Sequence, residues 1–83
     1  MSSTPRRIAV EISAETAALL DELVARCNGS HRDREGANTH GELTPATLLA
    51  MLAEDAGLVI RRPGSWEGAN MAQVLISHGY DVS

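Results

Sequence analysis

The stretch RRIAVEIS, residues 6–13, constrains this chain more than any other feature. It alternates apolar and polar side chains with period two, so Ile8, Val10 and Ile12 fall on one face and Arg7, Ala9 and Glu11 on the other. That pattern predicts a strand from Arg7 to Ser13, and the β-branched residues suit one. A lone strand leaves its backbone N–H and C=O groups unpaired and is not stable in water. The expected partner is either a distant segment of the same chain or a second copy of it.

Size sharpens the choice. The chain has 83 residues, enough for one domain whose core is small for its surface. Disulfides, a metal or oligomerisation usually support such a domain. Cys27 is the only cysteine, so no intrachain disulfide forms, and a reducing, cytoplasmic setting is expected. No apolar run has the length of a membrane span, and none at the N-terminus reads as a secretion signal. A homodimer is the expected way to enlarge the core. With only 2% aromatic residues and no Phe, that core must be built from Leu, Ile, Val, Met and Ala.

Beyond the strand, the helical period takes over. Ser13 reads as an N-cap and Glu15 as a first-turn acid. Leu20, Leu23, Val24 and Cys27 then repeat at helical spacing, widened by Thr16 and Leu19, until Asn28-Gly29 predicts a stop. Residues 28–43 are poor in apolar side chains and predict a long loop. Thr44 followed by Pro45 marks a second helix, with Leu48, Leu49 and Leu52 inward and Gly57 as its expected end. After Arg61-Arg62-Pro63-Gly64, Ser65 caps an expected third helix from Trp66 to His78, closed by Gly79. A strand through Val74 to Ser77 is the rival reading, and it offers Arg7 to Ser13 an intrachain partner in a monomeric α+β domain.

Strand, helix, turn and helix in this order resemble the ribbon-helix-helix DNA-binding family, the fold of methionine-repressor and CopG-type regulators. The resemblance covers roughly residues 5–57. It rests on Ile8, Val10 and Ile12 in the strand, Leu19, Leu20 and Leu23 in the first helix, and Leu48, Leu49 and Leu52 in the second. It implies a mainly α fold with one N-terminal strand: an intertwined homodimer, joined by an intermolecular antiparallel β-ribbon, with a C-terminal helical extension. Residues 1–57 form the ribbon-helix-helix domain in this reading, and residues 58–83 an extension within the same compact unit. Ile8, Val10, Ile12, Leu20, Leu23, Leu48 and Leu52 become the dimer core.

The same resemblance implies a sequence-specific transcriptional regulator, a repressor of bacterial or plasmid-borne kind, whose partner is a double-stranded DNA operator. Arg7, Ala9 and Glu11 would face base edges in the major groove, with Arg6 beside them. Arginine suits guanine or phosphate, alanine a thymine methyl, and glutamate the amino group of cytosine. Thr44 to Thr47 would present a helix N-terminus to a phosphate. A net charge of −4 speaks against broad electrostatic binding of nucleic acid, so contact would be confined to the local patch of Arg6 and Arg7. The alternative is an antitoxin-like or other protein-binding module, in which the C-terminal segment holds a partner protein.

Other residues carry less. Cys27, Asp33, His31, His40 and His78 lack zinc-motif spacing, and no metal or other cofactor is expected. Nothing resembles a nucleophile elbow or an oriented triad, and no enzyme is expected. Trp66 is expected to pin the C-terminal segment onto the second helix, the other reading being an anchor for a partner. Arg61 and Arg62 are left open between a solvated turn and a DNA flank. In the loop, Arg32 and Arg34 are offset by Asp33, Glu35 and Glu42, which favours an insertion without a nucleic-acid role.

Overall fold

A computed structural model describes residues 4–33 and 41–83, with residues 30–33 described by backbone alone. Among these residues three helices follow one another: α1 (Ala14–Asp33), α2 (Pro45–Arg61) and α3 (Trp66–Ser77). There is no strand among the described residues. The fold class expected from the sequence is therefore corrected: the described residues are all-helical, and a ribbon-helix-helix fold needs an N-terminal strand that is absent among them. Residues 4–13 form an irregular arm that makes no strand pairing with the other described residues, and Ile8 on it is 80% exposed. The intrachain alternative falls too, because Val74 to Ser77 belong to α3. Alternation supplies a sided segment, but only a neighbour that accepts its hydrogen bonds turns it into sheet.

Each helix start follows its sequence signal. The Ser13 hydroxyl accepts the Thr16 amide at 3.0 Å. Thr44 and Thr47 form a reciprocal cap: Thr44 Oγ1 accepts the Thr47 amide at 3.1 Å, and Thr47 Oγ1 accepts the Thr44 amide at 2.8 Å. Ser65 Oγ accepts from the Gly68 amide at 3.1 Å. The expected ends hold less well. α1 runs through Asn28-Gly29 to Asp33, and α2 runs through Gly57 to Arg61. An interior glycine costs a helix about 1 kcal/mol relative to alanine, which flanking turns absorb. The apolar residues Leu58 to Ile60 thus complete α2, and the expected boundary at residue 57 lies inside a helix. Only α3 ends on its expected glycine, Gly79, at φ 91°.

The helices pack unequally. α2 lies chiefly against α3, while α1 meets α2 over a smaller contact. At the corner between α2 and α3, Ser65 donates both its amide (2.9 Å) and its hydroxyl (2.7 Å) to the Arg62 carbonyl. Gly68 is buried there, and a β-carbon on it would stand 2.7 Å from the carbonyl oxygens of both Leu58 and Arg62. The absence of a side chain lets α3 seat directly on the last turn of α2. A second tie joins α1 to the entrance of α2. Asn28 donates from Nδ2 to the Leu43 carbonyl at 2.9 Å and accepts the Leu43 amide on Oδ1 at 2.7 Å.

Candidate interaction surface

Most of the apolar surface that the helical spacing marks as core is open. Val24 (8% exposed) and Leu48 (3%) are the buried large hydrophobic residues among those described. Thirteen others are exposed, from Ile8, Val10 and Ile12 on the arm to Val74, Leu75, Ile76 and Tyr80 near the C-terminus. Of the expected core set, Leu48 is buried and Leu20 half-buried, whereas Leu23, Leu52 and the three arm residues are exposed.

On α1 the exposed residues are organised. At about 100° per residue, Leu19, Leu23, Thr16, Cys27, Leu20, Val24 and Ala17 follow one another around a single broad arc. One side of that arc is covered: Val24 is buried, and Ala17, Leu20 and Cys27 are half-buried. The other side is open, with Leu19 57% and Leu23 45% exposed. Glu22 and Arg26 flank it and join in an ion pair at 2.7 Å, and the four side chains line one shallow groove. Exposed pairs of this i, i+4 type stabilise a helix by only about 0.3–0.5 kcal/mol.

A second open patch lies at the corner between α2 and α3. Ile60 ends the apolar run of α2, Trp66 begins α3, and Arg61 and Arg62 stand between them, all exposed. Trp66 is 76% exposed, which corrects the expectation of a core residue pinning the C-terminal segment. The hydrogen bonds of Ser65 and the close approach of Gly68 hold the corner instead.

The residues expected to contact DNA are distributed as follows. Arg6, Arg7, Ala9 and Glu11 are exposed on the arm. Thr44 and Thr47 cap each other, which changes what the α2 N-terminus has to give. Pro45 has no N–H, the Thr47 amide is held by Thr44 Oγ1, and the Leu48 amide bonds the Thr44 carbonyl. Of the first-turn amides, only that of Ala46 is left to meet an anion. Arg32, Asp33 and His31 are described by backbone only, and Arg34 and His40 lie outside the described residues. No group of three His, Cys, Asp or Glu residues able to hold a metal occurs among the described residues.

Comparison with known proteins leaves the reading to the geometry. No family model, curated protein or solved structure matches this chain.

Asp81 is held below its ordinary value by hydrogen bonds from the Ser83 hydroxyl (2.7 Å) and the Ser83 amide (3.0 Å). It lies at the chain end and in full solvent, so it tunes the tail and not the surface described above.

Sequence reasoning missed two residues that position this surface. Asn28 reads as a helix stop but acts as a clamp on Leu43, and Gly68 reads as an ordinary helical glycine. The Glu22–Arg26 pair was passed over as well, although its i, i+4 spacing is a signal for it.

Proposed function

We propose that this chain is a binding module whose fold is completed by another polypeptide. One observation carries the reading: two large hydrophobic residues are buried among those described, against thirteen exposed. Isolated exposed hydrophobic residues are ordinary on a protein surface, but contiguous apolar faces mark interaction sites. The open half of the α1 arc is such a face. It belongs to a helix that is already capped and clamped, so the surface is presented in a defined shape. The single cysteine suits a reducing cytoplasm, and no helix among the described residues is long and apolar enough to cross a membrane.

Thermal melting by circular dichroism, repeated over a thousandfold range of concentration with and without candidate partners, tests this. The dilute chain alone is expected to melt with low cooperativity and to bind a hydrophobic dye, and association is expected to raise its Tm. A sharp, concentration-independent transition without dye binding overturns the proposal.

A second reading, regulation through DNA, is favoured by one specific observation. Arg6 and Arg7 stand exposed on the arm with no acidic residue before Glu11. In this reading the arm contacts phosphate or guanine while the associated helices carry it. A gel shift at low salt against the region upstream of the chain's own gene, with Arg7→Ala as control, decides it: no binding there removes this reading.

A further inference from the structure

We infer that the polypeptide completing this fold is a second copy of the chain, and that the two copies meet along α1 in antiparallel, two-fold packing. The inference rests on the association reading above and names its partner and its face.

Area argues for a partner present from synthesis onward. The chain exposes 7029 Å². A compact monomer of 8.8 kDa exposes about 4800 Å². Its radius of gyration is 14.6 Å, against about 12 Å for a compact chain of this length. The surplus, about 2200 Å², includes the open arm as well as the helix faces, and it exceeds the roughly 800 Å² per partner of a standard interface. A chain that needs so much cover to fold needs it wherever it is made, and its own copy is the partner always present there.

Charge argues for the orientation. Glu22 and Arg26 sit one turn apart on the same flank of the Leu19–Leu23 face. When two helices pack antiparallel about a two-fold axis, each flank faces its own copy running the other way. Glu22 then meets the partner's Arg26, and Arg26 meets the partner's Glu22, both along one side of a seam centred near Leu23, with Leu19 farther out on the same face. The contact is isologous and self-complementary, and it closes as a dimer. Parallel packing sets this flank against the opposite one, where Thr16, Leu20 and Cys27 offer no charge. The −4 net charge of each chain opposes association at long range, so these local opposite charges select the register.

Glu22→Arg and Arg26→Glu test this, because both side chains are exposed and their pairing within α1 contributes little to the single chain. The unaltered chain is expected to sediment as a dimer at micromolar concentration. Each variant places like charges together twice across the seam and is expected to dissociate about tenfold more readily. Mixing the two variants restores both attractive pairs, and the mixture is expected to form the heterodimer in preference to either homodimer, read by native mass spectrometry. A dimer indifferent to both substitutions, with no preference on mixing, overturns the α1 seam and leaves the association reading standing. A chain that stays unstructured alone at every concentration overturns the second copy but also leaves association with another protein standing. A stable, cooperatively folded monomer overturns both.

Discussion

Replacing Gly68 with alanine sets two well-known effects against each other, and the structure decides between them. Inside a helix, alanine is favoured over glycine by about 1 kcal/mol. Were helix propensity the whole account, Gly68→Ala would stabilise α3. The new β-carbon, however, would lie 2.7 Å from the Leu58 oxygen and 2.7 Å from the Arg62 oxygen, with Ser65 Oγ at 3.0 Å. The two nearest atoms are backbone, so no side-chain rotation relieves them. α3 must lift from the end of α2, and overpacking of this kind costs about 1–3 kcal/mol. Lifting also strains the Ser65 bonds to Arg62 that hold the corner. The expected net effect is destabilisation by about 1–2 kcal/mol, a fall in Tm of roughly 4–8 °C per kcal/mol for a domain of this size. Gly57→Ala is the matched control. Gly57 lies within α2, and a β-carbon there meets nothing within 4 Å, so it is expected to gain about 1 kcal/mol. Both are measured by circular dichroism melting at one fixed concentration, since association makes Tm concentration-dependent. A Gly68→Ala protein that melts at or above the parent temperature would refute the seating of α3 on α2.

Four further outcomes are expected. Asn28→Ala leaves both backbone groups of Leu43 without their partners and is expected to cost about 1–3 kcal/mol, with faster hydrogen exchange at the Leu43 amide. Thr44→Ala removes one side of the reciprocal cap and is expected to cost about 1 kcal/mol and fray the start of α2, read from NMR chemical shifts of residues 45–48. The carboxyl of Asp81 is expected to titrate below its ordinary value of 3.8, and Ser83→Ala to move it back up. Its folded value is the lower one, so its small contribution is present above the ordinary value and fades as pH falls through the depressed one. Replacing Ile8, Val10 and Ile12 together by serine is expected to shift stability by less than about 0.5 kcal/mol if the arm stays in solvent, and to weaken association at least a hundredfold if it is covered in the dimer; sedimentation of the variant separates the two.

Helix starts were legible because each depends on a few adjacent atoms. Ser13, Thr44 and Ser65 carry their own acceptors to the amide three residues on, and no distant part of the chain is needed. Helix ends were less so. Gly29 and Gly57 have the composition of stops, but a glycine ends a helix only when the chain turns there, and packing decides that. Gly68 shows the opposite case: its role depends on two carbonyl groups six and ten residues earlier, which no local pattern reveals. The clamp from Asn28 to Leu43 joins positions fifteen residues apart and was equally hidden. The candidate surface was legible in part, since Leu19 and Leu23 were placed on the apolar side of α1. Which half of that side is covered depends on where α2 lies.

The arm shows why a sided pattern is a weaker statement than a strand. Period-two alternation says that one face prefers to leave water, and Ile8, Val10 and Ile12 satisfy that. A strand requires in addition a neighbour whose backbone groups stand in register, and the described helices present none. The arm's apolar face and the open half of α1 therefore report the same imbalance. Each isoleucine, valine or leucine left in water forgoes about 1.5–3 kcal/mol that burial contributes. A domain holds only about 0.05–0.15 kcal/mol of stability per residue, so one such residue can equal a large part of the total. Asn28 ties α1 to the entrance of α2 and Gly68 seats α3 on the end of α2, so rearranging the helices to cover the thirteen exposed apolar side chains would break those contacts. In the association reading proposed above, what is left to change is the solvent those faces meet, and a second polypeptide changes it.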